Sequence, residues 1–220
     1  MKLIVFDFDG TLVDSQHVII ASVRAAFARH DLAAPADAAI RRIVGLPLVE
    51  GLARLAPGLD PVQHQALAEG YRAGFQAAQA DAAMREALFP GVREMLEALA
   101  NAGFTLGIAT GKSQRGLLAG LERHGLRSLF ATLQTGDQQP GKPHPAMLLS
   151  ALEEVGVAAE AAAMVGDTTY DITMARAAGT LPIGVRWGYH EAAELEDAGA
   201  AHLVAHSAEL PPLFAALSNT

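Results

Sequence analysis

The chain has 220 residues, of which 51% are hydrophobic and 18% are charged, and its formal net charge is −8. This composition predicts a sizeable buried core without long disorder, and the negative charge argues against a general nucleic-acid binder, which needs a basic surface. There are no cysteines, which excludes disulfides, thiolate catalysis and cysteine-ligated zinc or iron–sulfur sites.

The first predicted element is a short apolar strand over residues 1–8, followed by a turn at DGT. A run this short, which also carries Asp7, is neither a signal peptide nor a membrane span. We therefore expect a soluble cytoplasmic protein without a membrane partner. Residues 15–82 have an alanine- and leucine-rich helical spacing broken by glycine and proline, which predicts three or four helices and no strand.

From residue 92 onward, predicted helices alternate with apolar strands. The strands are expected at residues 104–110, 129–135, 161–165, 181–185 and 202–204. Strands separated by helices imply right-handed crossovers and a parallel sheet covered on both faces. The predicted fold class is therefore α/β, a doubly wound parallel sheet built from residues 1–14 and 83–220, with an inserted all-helical domain at residues 15–82.

Polar side chains follow four of these strands, at the edge where doubly wound sheets place their sites. Asp7 and Asp9 follow the first strand, and Asp167 and Asp171 follow the strand at residues 161–165. Each pair alone could be no more than a turn or a helix cap. The two pairs converge if their strands are neighbours, and converging carboxylates repel each other unless a cation lies among them. Oxygen ligands of this kind suit Mg²⁺.

Basic side chains supply the second part of the pattern. Lys112 and Lys142 are two of the three lysines, and both lie in loops that follow predicted strands. A compact ammonium there indicates phosphate contact, although either lysine could instead be an ordinary turn or helix-start residue. Arg41 and Arg42 could pair with a carboxylate or a second phosphate of a substrate, or could simply be solvated on a helix face.

Four motifs, in order, carry a resemblance to a known family. The segment DFDGT at residues 7–11 resembles the first motif of haloacid dehalogenase-superfamily phosphatases. Thr110-Gly111-Lys112 resembles the second motif, Lys142 in GKPHP the third, and GDTTYD at residues 166–171 the fourth. The segments ARAAG and VRWGY at residues 175–179 and 185–189 resemble the subgroup that contains phosphoglycolate phosphatases. The helical insert then corresponds to the mobile cap of that family.

The resemblance implies a role for each motif residue. Asp7 would be the nucleophile, and Asp9 would act as general acid and then as general base. Mg²⁺ would be held by the Asp7 and Asp167 carboxylates and the Asp9 backbone carbonyl, with Asp171 more remote or bound through water. The phosphoryl group would contact the Thr110 hydroxyl, Lys142 and the backbone amides of Gly10, Thr11 and Gly111.

Two details narrow the chemistry that the resemblance implies. Dehalogenases of this superfamily carry an aromatic residue in place of Asp9, so Asp9 favours phosphate transfer. Phosphonoacetaldehyde hydrolases use a cap lysine, and residues 15–82 contain none. We expect a magnesium-dependent phosphatase, monomeric or homodimeric, acting on a small phosphorylated metabolite such as phosphoglycolate or a sugar phosphate. The alternatives are an inorganic pyrophosphatase, a hexose-phosphate mutase or a non-catalytic binding protein.

Overall fold

The computed structural model describes residues 1–81 and 84–218. The strands in this part of the chain are β1 (Leu3–Phe6), β2 (Val13–Asp14), β3 (Ala87–Leu88), β4 (Thr105–Thr110), β5 (Phe130–Thr135), β6 (Ala162–Gly166), β7 (Leu181–Val185) and β8 (His202–Val204). The α-helices are α1 (Gln16–Arg29), α2 (Asp37–Ile43), α3 (Leu48–Leu55), α4 (Pro61–Ala80), α5 (Val92–Asn101), α6 (Gln114–Arg123), α7 (Ala146–Val155), α8 (Thr169–Ala178), α9 (Ala192–Ala198) and α10 (Leu210–Ser218). This order confirms the predicted alternation of strands and helices after residue 92.

Six strands form one parallel sheet in the order β5-β4-β1-β6-β7-β8. The strand β1 pairs with both β4 and β6, so that Leu3 lies opposite Thr105 on one side and Ala162 on the other. Every residue of β1 and β6 is buried, as expected for strands covered on both faces. The sheet confirms the doubly wound α/β fold. Because β1 and β6 are neighbours, the two acidic segments that follow them meet at one edge.

Alternate residues of β1 pack into two different apolar layers. Ile4 and Phe6 join a core cluster with side chains of α5, α6 and α10. Leu3 and Val5 join a second cluster with side chains of α7 and α8. The period-two alternation of a strand sends successive side chains to opposite faces, so four consecutive apolar residues are needed to bury both faces of β1.

Helices α1–α4 lie between β2 and β3 and form the helical cap. They bury a third cluster, which consists of Ile19, Val23, Ala26, Phe27, Ile40, Val44, Leu52, Leu67 and Ala68. The four helices agree with the predicted number. The exact cap bounds, residues 15–82, stay a prediction, and the boundary between residues 82 and 83 lies outside the described residues.

Three elements were not predicted from the sequence. The strands β2 and β3 form a short antiparallel pair, with Val13 opposite Leu88. Two residues are too few to show the alternation by which a strand is recognised. The helix α9 was also missed, because its sequence AAELEDA buries only Leu195 and therefore shows no apolar period.

The longest described helix is α4, with 20 residues. Its length alone would suffice to cross a bilayer, but its sequence contains several polar and charged side chains. Among residues 1–81 and 84–218 we find no helix that is both long enough and apolar enough to span a membrane.

Substitution of Leu67 tests the cap cluster. Leu67 is fully buried on α4, whereas Val62 on the same helix is 77% exposed. We expect Leu67→Ala to lower the free energy of unfolding by about 2–5 kcal/mol, because it leaves a cavity among the cap helices. Val62→Ala is the matched control and should change that free energy by less than about 0.5 kcal/mol. Urea unfolding followed by circular dichroism measures both, and equal effects would contradict the cap packing.

Candidate active site

Asp7, Asp171 and Lys142 form a buried ionic cluster at the edge of the sheet. Asp7 follows β1, Asp171 lies in the first turn of α8, and Lys142 lies in the loop between β5 and α7. The Lys142 Nζ atom is 2.8 Å from Asp7 Oδ1 and 2.6 Å from Asp171 Oδ1. The three side chains are at most 1% exposed. A lysine buried to this degree needs such partners, so Lys142 and the two carboxylates stabilise one another's charges.

Asp167 completes the acidic side of this cluster. Its Oδ1 atom accepts a hydrogen bond from the Thr11 hydroxyl at 2.8 Å, and its Oδ2 atom accepts one from the Tyr189 backbone N–H at 2.9 Å. Carboxylate oxygens of Asp7, Asp167 and Asp171 lie within 4.8 Å of one another. The sequence predicted that the two acidic pairs converge, and the pairing of β1 with β6 is the reason that these three carboxylates do so.

The electrostatics of the cluster fit a divalent cation. Burial raises the pKa of Asp7 to about 7, although the ammonium of Lys142 acts to lower it. Burial and the neighbouring carboxylates also raise the pKa of Asp167 well above its usual value. Asp7 Oδ2 is buried and accepts no hydrogen bond from the described residues. Three buried carboxylates beside one ammonium leave an excess of negative charge, and oxygen donors of this kind suit Mg²⁺.

Asp9 belongs to a different ionic cluster. The Lys112 Nζ atom lies 2.9 and 3.1 Å from the two Asp9 carboxylate oxygens and 3.0 Å from Glu86 Oε1. Arg123 Nη1 contacts the other Glu86 oxygen at 3.2 Å. Burial acts to lower the pKa of Lys112, but the carboxylates of Asp9 and Glu86 raise it above its usual value. Lys112 therefore pairs with protein carboxylates in this structure.

A cavity of about 610 Å³ opens beside both clusters. Its core side includes five residues that the sequence singled out, namely Asp7, Asp9, Thr110, Gly111 and Lys112. Its cap side includes Tyr71, Arg72 and Phe75 of α4 and the loop at residues 45–47. That loop is close to the second motif: a Cβ atom on Gly111 would lie only 2.7 Å from the Gly45 carbonyl oxygen. The cavity therefore lies between the sheet edge and the cap.

One predicted phosphate contact, the Gly10 backbone amide, is arranged differently from the expectation. The Gly10 backbone N–H donates to the Val13 carbonyl at 2.9 Å, so this amide is already used in the turn. The Thr11 hydroxyl donates to Asp167. Neither residue lines the cavity. In this structure the DGT turn therefore supports Asp167 through Thr11 and does not present the Gly10 amide to a phosphate.

Arg41 and Arg42 also lie away from the cavity. The Arg42 guanidinium contacts both carboxylate oxygens of Glu194 at 2.5 Å, and Arg41 donates to the Gln16 side chain. Their place before Gly45 in the sequence did not reveal these partners, because Gln16 and Glu194 are distant along the chain. Arg42 consequently bridges the cap and α9.

Other arginines, which the sequence analysis did not single out, line the cavity. Arg72 lies on α4 and Arg115 in the first turn of α6. Neither forms an ion pair or hydrogen bond with another described residue. Arg115 could have been noted from its position three residues after Lys112. Arg72 could not, because its location depends on how the cap folds over the sheet.

Comparison with known proteins agrees with this geometry. Residues 4–185 match the family model described as haloacid dehalogenase-like hydrolase. The chain is 38% identical over 202 residues to a protein of Dickeya dadantii (strain 3937) named "Probable phosphatase IndB", covering 89% of this chain and 86% of that protein. It is 35% identical to the phosphoglycolate phosphatase of Xanthomonas campestris pv. campestris (strain 8004), covering 86% and 84%. The crystal structure of a hydrolase from Pseudomonas syringae superimposes with a TM-score of 0.86 at 25% identity, covering 97% and 98%.

Substitution of Gly188 tests the packing around Asp167. A Cβ atom on Gly188 would lie 2.1 Å from Asp167 Cβ and 2.4 Å from its Oδ2 atom. We expect Gly188→Ala to lower the free energy of unfolding by about 1–3 kcal/mol, as overpacked buried sites do. At Gly58 a Cβ atom meets nothing within 4 Å, so Gly58→Ala is the control. Urea denaturation distinguishes the two, and an unchanged Gly188→Ala protein would show that Asp167 is not tightly held.

Proposed function

We propose that this chain, which belongs to the haloacid dehalogenase-like hydrolase family and is a phosphoric monoester hydrolase, works through an aspartyl-phosphate formed on Asp7. The proposed substrate is a small phosphate monoester of the phosphoglycolate or sugar phosphate type. One observation carries the proposal. The Asp7 carboxylate lines the cavity while Lys142, Asp167 and Asp171 surround it. Phosphoryl transfer requires a nucleophile that faces a cavity and lies where positive charge can offset the charge of the phosphate, and here Lys142 and a bound cation would supply that charge.

The first half-reaction transfers the phosphoryl group to the enzyme. An Asp7 carboxylate oxygen forms a bond to phosphorus while the bond from phosphorus to the substrate oxygen breaks. In its carboxylic acid form, Asp9 gives its proton to that leaving oxygen and becomes the carboxylate that Lys112 contacts through both oxygens. The Asp9 carboxylate also lines the cavity, which gives it access to the ester oxygen. Lys142 contacts Asp7 Oδ1 and holds a positive charge beside the reacting atoms.

The second half-reaction regenerates the enzyme. A water molecule loses a proton to Asp9 and its oxygen bonds to phosphorus, while the bond between phosphorus and the Asp7 oxygen breaks. The products are inorganic phosphate and the free carboxylate of Asp7. Asp9 acts as acid in the first step and as base in the second. It therefore regains from water the proton that it gave to the leaving oxygen. Residues of the cap line one side of the cavity, and closure of the cap would limit the access of other water molecules.

The carboxylates of Asp7, Asp167 and Asp171 and the Asp9 backbone carbonyl would hold Mg²⁺. When bound, the metal supplies positive charge that stabilises the charge on the phosphoryl oxygens and offsets the repulsion between two anions. The protein's own contribution is to hold the ligands in place. Thr11 and the Tyr189 backbone N–H orient Asp167, and Thr168 donates to Asp171 Oδ2 from both its hydroxyl and its backbone N–H.

Features of the cavity support a substrate with a second polar group. Arg72 and Arg115 line it without ionic partners among the described residues, and a guanidinium suits a carboxylate or a phosphate. The relative from Xanthomonas campestris is named a phosphoglycolate phosphatase, and phosphoglycolate carries such a carboxylate. Arg72 and Arg115 therefore replace Arg41 and Arg42 as the residues that we propose for contact with the leaving group.

A phosphate-release screen tests the proposed reaction. We expect the wild-type chain to release phosphate from small phosphate monoesters in the presence of Mg²⁺. Asp7→Asn should lower turnover by at least about 1,000-fold because it removes the nucleophile, while circular dichroism remains unchanged. Asp197→Asn changes an exposed aspartate and serves as the control. Retention of most activity by Asp7→Asn would exclude the aspartyl-phosphate, and release from pyrophosphate alone would favour the pyrophosphatase alternative.

Thermal unfolding tests the metal site without an activity assay. A ligand that binds only the folded state stabilises it, by about 2.7 kcal/mol at 100 times its dissociation constant. We expect Mg²⁺ to raise the midpoint of wild-type unfolding and to have no such effect on Asp167→Asn. Asp197→Asn should keep the wild-type response. An equal Mg²⁺ response in Asp167→Asn, or none in the wild type, would contradict the assigned ligands.

A further inference from the structure

Lys112 is the centre of a buried network that includes the proposed acid/base Asp9. Its ammonium contacts both carboxylate oxygens of Asp9 and one oxygen of Glu86. The Lys112 side chain is 9% exposed, that of Asp9 is 12% exposed and that of Glu86 is 2% exposed. A contact between one ammonium and both oxygens fixes the distance of the carboxylate from Lys112 and holds its charge in place.

The members of this network come from four separate segments. Asp9 follows β1, Lys112 follows β4, Glu86 immediately precedes β3, and Arg123 ends α6. Glu86 is therefore on the segment through which the chain returns from the cap to the sheet. Arg123 contacts the second Glu86 oxygen, so Glu86 is itself held in place. The network contains two carboxylates and two cationic side chains, so its formal net charge is zero.

Lys112 also touches the cap. Its Nζ atom lies 4.7 Å from the ring centre of Phe75 on α4 and 5.6 Å from that of Phe8. Contacts between a cation and a ring at these distances are attractive. The ammonium is thus confined by carboxylates on one side and by rings from the core and the cap on the other. These contacts restrict movement of the Lys112 ammonium away from Asp9 while the cap is closed.

We propose that Lys112 is a positioning residue that holds the Asp9 carboxylate at the ester oxygen, and that Glu86 in turn positions Lys112. The inference rests on the proposed function, since it concerns the role of Asp9 in that reaction. Asp9 acts twice, first on the leaving oxygen and then on water. If Asp9 is misplaced, both phosphoryl transfer to Asp7 and hydrolysis of the phosphoenzyme must slow when the leaving group needs a proton. When the leaving group needs no proton, only hydrolysis of the phosphoenzyme must slow.

A comparison of esters with these two kinds of leaving group therefore distinguishes a positioning role of Lys112 from a purely structural one. The ester p-nitrophenyl phosphate releases a stable anion that needs no proton, whereas a sugar phosphate releases an alkoxide that does. We expect Lys112→Met to lower kcat on a sugar phosphate by about 100-fold, the loss that a small misplacement of a catalytic group produces. On p-nitrophenyl phosphate, rapid mixing should show a burst of about one equivalent of nitrophenolate followed by slow turnover, because the phosphoenzyme forms but is hydrolysed slowly.

Two further variants complete the experiment. Glu86→Gln keeps the shape of its side chain but loses its charge, and it should show the same burst with a smaller loss of kcat. Lys2→Met is the control, since Lys2 is an exposed lysine far from the site in the fold, and it should behave as the wild type. If Lys112→Met does not fold, as judged by circular dichroism, the burst in Glu86→Gln decides the question.

The outcomes separate this inference from the proposed function. A wild-type chain that releases phosphate from no ester with Mg²⁺ contradicts the proposed function itself. An active wild type with unchanged kcat in both folded variants on both esters overturns the positioning role alone. A folded Lys112→Met protein that loses the burst together with turnover also overturns it, because the lysine would then act on phosphoenzyme formation and not through Asp9.

Discussion

The burial of three carboxylates beside one ammonium is the constraint on which the rest of the site depends. Asp7, Asp167 and Asp171 are fully or almost fully buried, and Lys142 is the ammonium among them. Unpaired charge is expensive to bury, so such a cluster either takes up a proton, which the raised pKa of Asp7 and of Asp167 favours, or binds a further positive charge. The network around Lys112 shows the contrast. It contains two carboxylates and two cations, and it therefore requires no metal. The balance of charges therefore favours the cluster around Asp7 as the place where a cation would bind.

The two aspartates of the DFDG segment are separated by this difference. Asp7 belongs to the cluster with excess negative charge and Asp9 to the neutral one. Phe8 between them is fully buried in the main core, which anchors the backbone so that each carboxylate keeps its own partners. The resulting division suits two chemical tasks. The proposed nucleophile lies beside the proposed cation, and the proposed acid/base lies where a protein ammonium contacts both of its carboxylate oxygens.

The sequence predicted the parts of the molecule that depend on local pattern. Apolar runs bounded by glycine indicated the strands of the sheet, and the polar residues after them indicated its active edge. It did not predict contacts between segments that are distant along the chain. Glu86 gave no signal because its partners, Lys112 and Arg123, are brought to it only by the return from the cap. Arg42 was a candidate for substrate contact, the alternative being a solvated helix face, and it instead contacts Glu194. The reason is the same: an arginine's position in sequence does not reveal which carboxylate the fold will place beside it.

The cap contacts the core through exposed polar pairs outside the cavity and through a contact with Lys112 inside it. On the outside, Arg42 pairs with Glu194 while half of its side chain remains exposed, and the Tyr170 hydroxyl donates to the Arg42 carbonyl at 2.9 Å. Exposed pairs of this kind contribute little to stability because water screens and competes with them. Inside, Phe75 of the cap contacts the ammonium that holds Asp9. An opening of the cap would therefore break little that stabilises the fold, yet it would remove one wall from around Lys112. In the proposed reaction, the position of Asp9 would in this way be coupled to the closure of the cap.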